Sequence, residues 1–157
     1  MSKELMEQVI KDFGNEIGAE LEVDEDAYCC LAVGDDMQIH LKFNEHFNGL
    51  IFYSELGEPP NFGRKEILRH YTYENGQPTS NGMTFSYDVE SKQIGMARLL
   101  YKDFMDLENF KKILEKFIER NIQEKEKMAT YLQGELPKDE IQFTEEEQEE
   151  APAGPML

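Results

Sequence analysis

The chain has 157 residues, 16 of them basic and 33 acidic, for a formal net charge of −17. That is the length of one domain able to bury a core without disulfide or metal support. A surface so negative repels nucleic-acid phosphates and the anionic inner leaflet of a membrane, so neither is an expected partner; it suits a protein that holds a sticky or basic partner, and it serves plain solubility equally well.

Residues 3–17 read as a helix, with Leu5, Met6, Val9, Ile10, Phe13 and Ile17 on one stripe, Ser2 as N-cap and Gly18 as stop. The N-terminus has no apolar signal run and no stretch approaches the ~18 apolar residues of a membrane span, which predicts a cytoplasmic protein. Ala27, Cys29, Leu31 and Val33 then alternate along a first strand. The adjacent Cys29 and Cys30 point to opposite faces there, a poor disulfide and a poor metal clamp, and two buried thiols are expected. After the turn Gly34-Asp35-Asp36, a second strand alternates Met37, Ile39, Leu41 and Phe43 with Gln38, His40 and Lys42. A third strand, Leu50 to Leu56, is apolar on both faces, so its outer residues Ile51 and Tyr53 are expected to be covered by something, while Leu50 and Phe52 face the core.

Gly57 to Asn61 breaks the pattern. A short helix from Gly63 to about Tyr71 carries Ile67, Leu68 and Tyr71 on one side, and Tyr73 to Gly82 reads as a polar loop. Met83, Phe85 and Tyr87 mark a fourth strand, and Gln93 to Tyr101 a fifth. The last helix starts at the N-cap Asp106 and packs through Leu107, Phe110, Leu114 and Phe117, with Ile113, Ile118 and Ile122 widening the stripe. Beyond Ile122 the pattern thins to Met128 and Leu132, so the helix is expected to emerge into solvent before Gly134 ends it. Residues 135–157 hold eight acidic residues and one lysine, which predicts a disordered acidic tail after a domain spanning 1–134. Such a tail is also a candidate weak contact for a basic partner.

The chemistry-bearing motifs are missing. There is no GxGxxG, Walker A, GxSxG or HExxH pattern. A calcium loop starting at Asp24 needs glycine at its sixth position and glutamate at its twelfth, and has Cys29 and Asp35 instead. His40, His46 and His70 fit no zinc spacing, and Cys29 lies on the apolar side of its strand, against a reactive thiolate. No catalytic residue, metal or cofactor is expected.

The elements run α-β-β-β-α-β-β-α, an α+β chain with an antiparallel sheet packed on helices. With the stretches Gly18-Ala19-Glu20-Leu21-Glu22-Val23-Asp24, Leu50-Ile51-Phe52-Tyr53-Ser54-Glu55-Leu56-Gly57-Glu58-Pro59 and Asn81-Gly82-Met83-Thr84-Phe85-Ser86-Tyr87-Asp88, that order resembles the class I type III secretion chaperones, the Tir-chaperone family. The resemblance runs from about Leu5 to Leu132; the loop from Tyr73 to Ser80 and the acidic tail depart from it. It implies a bacterial cytoplasmic homodimer that holds the N-terminal part of a secreted effector in extended form, keeps it secretion-competent and uses no nucleotide. An extended peptide can add to a sheet edge while its side chains enter surface pockets. Ile51 and Tyr53, with Ile39 and Met37, are the candidate partner-binding residues; in the other reading the third-strand residues are all covered within the fold. Ile67, Leu68 and Tyr71 are candidates for the dimer interface, or they cap their own sheet. The alternatives in function are an adaptor of similar fold that binds a folded protein, and a small enzyme with dispersed catalytic residues.

Overall fold

The computed structural model describes residues 2–137. Strands β1 (Tyr28–Val33), β2 (Met37–Asn44), β3 (Gly49–Gly57), β4 (Thr84–Asp88) and β5 (Gln93–Tyr101) form one antiparallel sheet in the order β1-β2-β3-β5-β4. Alternation decides which face is the core. In β2, Met37, Ile39, Leu41 and Phe43 are buried, whereas Gln38 and Lys42 are exposed. The register sets Leu31 opposite Ile39, Phe52 opposite Leu41 and Leu50 opposite Phe43, so one continuous apolar face results.

Three helices pack on that face: α1 (Ser2–Ile17), α2 (Arg64–Glu74) and α3 (Leu107–Leu132). α1 begins at Ser2, the residue expected to cap it. Fully buried Phe52 sits at the seam, its ring 5.5 Å from Phe110 and 5.9 Å from Phe117, and Phe13 of α1 meets Phe110 edge-on at 5.3 Å. Asp106 caps α3 as expected, its carboxylate accepting from the Asn109 amide at 2.7 Å.

α3 departs from the sequence reading at its far end. Its buried positions are Phe110, Leu114, Phe117, Asn121, Glu124, Met128 and Tyr131. They step by four and three without a break, so the helix stays packed to Tyr131 instead of emerging at Ile122, which is 48 % exposed. Two polar residues in the stripe hide the pattern, and each bonds a specific partner, although Asn121 Oδ1 is left without one among the described residues. Asn121 Nδ2 donates to Ser54 Oγ at 2.8 Å, and Ser54 Oγ donates to the Gln38 carbonyl. Glu124 accepts from Arg120 Nε at 2.7 Å, from Tyr71 Oη at 2.9 Å and from Lys127 Nζ at 3.3 Å. Arg120 also reaches Glu74 of α2 at 3.0 Å and the Thr79 carbonyl at 2.9 Å. One carboxylate thus ties α2 to α3 and, through Arg120, to the 3-10 turn Pro78–Ser80.

That same anchoring overturns two of the interface expectations. Ile67 and Tyr71 are turned into the core, and of the α2 trio only Leu68 keeps partial exposure. Met37 and Ile39 lie in the core beneath the helices, 5 % and 0 % exposed, so they belong to no surface patch. Cys29 is buried as expected, but Cys30 is exposed, because neighbours on a strand face opposite ways. α2 runs to Glu74, three residues past its expected end, and takes up part of the expected loop. The acidic tail lies outside the described residues from position 138 onward; of its start, Leu136 packs at the margin of the core, where a Cβ on Gly63 would overlap it.

Burial raises the Glu124 carboxyl, but the Arg120 hydrogen bond, the Lys127 charge and the Tyr71 hydroxyl outweigh it and hold the group below its ordinary 4.5. Glu124→Ala strands Arg120 and Tyr71 and is expected to cost about 3–5 kcal/mol in urea unfolding near neutral pH. A depressed carboxylate stabilises the fold above its unfolded value and loses that contribution as pH falls through its folded value. The stability gap between the wild type and Glu124→Gln is therefore expected at full size near neutrality and to shrink as pH drops below 4.5.

Candidate functional site

Among the described residues no helix packs on the second face of the sheet. Its residues are the alternate ones on every strand. Ile51 pairs with Leu99 and Tyr53 with Ala97 across β3 and β5; on the other side Ile51 pairs with Lys42 and Tyr53 with His40. Tyr28 and Cys30 of β1 lie opposite Lys42 and His40. Ile51, Tyr53, Ala97 and Leu99 are only half-buried, screened by one another. The patch continues to Tyr101, 56 % exposed, and to Phe47 in the β2–β3 turn, 52 % exposed; the Lys102 amide binds that turn to the end of β5 through the Asn48 carbonyl at 2.9 Å.

Aromatic rings give this face a fixed shape. Tyr28 Oη lies 2.5 Å from His40 Nδ1, and the two rings stack with centroids 5.8 Å apart. His40 in turn lies 6.2 Å from the Tyr53 ring. The Tyr53 ring lies flat on the sheet because its neighbour is Gly95: a Cβ there would come within 2.5 Å of Tyr53 Oη. Partial burial, then the charges of Glu55 and Asp88, raise the Tyr53 phenol, which keeps it a neutral hydrogen-bond donor.

Each edge of the sheet is closed at one residue. On β4, Asn75 clasps Phe85 at both backbone groups: Nδ2 donates to the Phe85 carbonyl at 2.8 Å, and Oδ1 accepts from the Phe85 amide at 2.7 Å. A side chain thus stands where another strand would pair. On β1, Asp24 binds the outward backbone of Tyr28, its amide donating to the Tyr28 carbonyl at 2.9 Å and its carboxylate accepting from the Tyr28 amide at 3.0 Å. Alternation points the backbone groups of Cys30 and Ala32 the same way. Among the described residues nothing pairs with them. β1 is therefore an open edge beside an open face.

Of the residues singled out in the sequence, Ile51 and Tyr53 come together on this face. Met37, Ile39, Ile67 and Tyr71 do not. Leu99, Ala97 and Tyr28 complete the patch and were missed; the first two follow from the alternation of β5 only once its register with Ile51 and Tyr53 is known. Among the described residues no helix is long and apolar enough to cross a membrane, and no group of three or more His, Cys, Asp or Glu side chains is placed to hold a metal ion.

The family model described as the Tir chaperone protein (CesT) family matches residues 8–123. No curated protein matches the sequence. Among solved structures, the HopA1-SchA chaperone-effector complex contains a chain of similar fold, with a TM-score of 0.68 and 13% identity over 80% of this chain and 97% of that one. The Yersinia pestis type III secretion chaperone SycH, solved with a fragment of YscM2, is matched with a TM-score of 0.60 and 16% identity over 75% and 98%. The heterodimeric ExoU-SpcU complex from the type III secretion system of Pseudomonas aeruginosa is matched with a TM-score of 0.56 and 15% identity over 74% and 92%. At these identities the likeness is one of fold.

The clasp on β4 generates a prediction. Asn75→Ala removes both hydrogen bonds to Phe85 and is expected to cost about 1–3 kcal/mol in urea unfolding, with faster amide exchange at Phe85 than in the wild type.

Proposed function

The chain belongs to the Tir chaperone protein (CesT) family, and from that premise we propose that it is a non-catalytic, cytoplasmic type III secretion chaperone that holds the N-terminal region of a secreted effector in extended form. One observation carries this reading: an apolar face that no helix covers among the described residues, bordered by a strand edge left unpaired at Cys30 and Ala32 among those residues. Extended chain suits such a surface, because it can satisfy the Cys30 and Ala32 backbone groups and then run on across the face, presenting alternate side chains to Ile51, Tyr53 and Leu99. A folded partner would have to supply an edge strand of its own to do the same. The task is to hold another chain, and it needs no nucleotide, metal or other cofactor.

The chaperone acts as a homodimer. Of the three α2 candidates, Leu68 is the one still available for the seam, since Ile67 and Tyr71 are used inside the protomer. The net charge of −17 keeps a loaded complex soluble and draws basic stretches of the effector.

Affinity purification from the native bacterium tests the reading. A larger secreted protein is expected to come down through its N-terminal segment, with that segment still cleavable by protease while bound. Capture of a folded domain alone would instead identify an adaptor. Light scattering at micromolar concentration is expected to give twice the protomer mass. Tyr53→Asp is expected to weaken partner binding by about tenfold or more, the effect of losing an aromatic anchor, with unchanged circular dichroism. Loss of the folded spectrum would show that Tyr53 holds the fold together instead.

A further inference from the structure

The open face is not uniform from end to end. Toward the β2–β3 turn it is apolar and aromatic, through Ile51, Leu99 and Tyr101. Toward the β1–β2 turn it ends in carboxylates. Asp35, Asp36 and Glu55 surround a recess of about 270 Å³ whose remaining walls are Gln38 and His40. All three carboxylates are exposed, and none forms an ion pair among the described residues. Lys125 reaches this turn from α3 and donates to the Asp36 carbonyl at 2.8 Å, not to a carboxylate. Across β5 the same end of the sheet carries Asp88 and Glu90, with Lys92 in the intervening turn. The open edge runs to the same place: β1 ends at Val33, one glycine before Asp35.

We infer that the segment received here has a fixed polarity of chemistry: alternating apolar side chains over Ile51, Tyr53 and Leu99, followed at one end by basic side chains over Asp35, Asp36 and Glu55. The inference rests on the chaperone reading and specifies the partner it selects. Unpaired carboxylates at the rim of an apolar face cost little while solvated, and a lysine or arginine brought beside them gains attraction that a neutral or acidic residue lacks. The spacing is set by strand geometry. Ile51 and Glu55 are four residues apart on β3, about 13 Å, so the basic residues follow the first apolar anchor by about four to six positions in an extended peptide. A segment with the basic end reversed, over Leu99 and Tyr101, meets the cations Lys42, opposite Ile51, and Lys102, next to Tyr101.

Fluorescence anisotropy with the full chain and three synthetic peptides of about a dozen residues tests this. Each peptide alternates leucine or valine with serine or threonine, then ends in four lysine and arginine, four glutamine or four glutamate residues. The basic-ended peptide is expected to bind about tenfold tighter than the glutamate-ended one at low salt, with the advantage fading as added salt screens the exposed charges. The double variant Asp36→Lys, Glu55→Lys is expected to abolish or invert that preference and to leave the glutamine-ended peptide within about twofold of wild type. If all three peptides bind alike and Tyr53→Asp weakens them all, the charge inference fails while the chaperone reading stands. If none of the three binds, the face is no acceptor of extended chain, and both proposals fall.

Discussion

Each strand of this sheet has two faces, and the three helices cover only one of them. Everything else in the molecule follows from which face that is. The strict alternation of β2 gives its apolar side to the helices, and Phe52 locks the choice by inserting between Phe110 and Phe117. A slip of one residue in the register of β3 would exchange Leu50 and Phe52 for Ile51 and Tyr53 and expose two large residues that now pack in the interior. The cost of that exchange fixes the register. It also leaves Ile51, Tyr53, Ala97 and Leu99 half-covered on the far side.

The buried polar residues of α3 serve the same division. Apolar residues at 121 and 124 would have packed against the sheet without choosing a partner. Glu124 instead demands the Tyr71 hydroxyl and the Arg120 guanidinium, and Arg120 demands Glu74 and the backbone of the 78–80 turn. These bonds place α2 over the end of the sheet beside β4, with Phe85 enclosed between the Tyr71 ring and the Arg120 guanidinium. The C-cap of α2, Asn75, is thereby brought to the β4 edge, which it closes at Phe85. The network therefore has a consequence some distance from it: Phe85 of β4 is closed to strand pairing, as Asp24 closes Tyr28 of β1, and Cys30 and Ala32 of β1 stay open beside the uncovered face.

Much of this was legible in the sequence, and the failures have specific causes. The order of elements could be read because the periods of two and 3.6 were clean through most of the chain. The family resemblance rested on that order and on local strand boundaries, and the match over residues 8–123 agrees with it. Alternation could not say that Met37 and Ile39 were core residues rather than a docking patch, because an apolar row looks the same whether a helix or a partner covers it. The stripe of α3 vanished past Ile122 because Asn121 and Glu124 are polar, and their partners Ser54 and Tyr71 are 67 and 53 residues away in sequence. Leu99 and Ala97 stayed hidden because β5 is apolar on both faces, and only its pairing with Ile51 and Tyr53 shows which side each residue joins. The guarding of one edge by Asn75 left no sequence signal, since it depends on where α2 ends in space.

The central claim is that an extended segment of a secreted protein completes the open face of this sheet. The most direct measurement is a methyl NMR spectrum of the full chain, recorded alone and with the N-terminal segment of a co-purifying secreted protein. The account predicts that the methyl signals of Ile51 and Leu99 shift on loading, while those of Ile122 and Leu132 on the exposed side of α3 stay in place. Unchanged Ile51 and Leu99 signals, with shifts confined to α3, would contradict it.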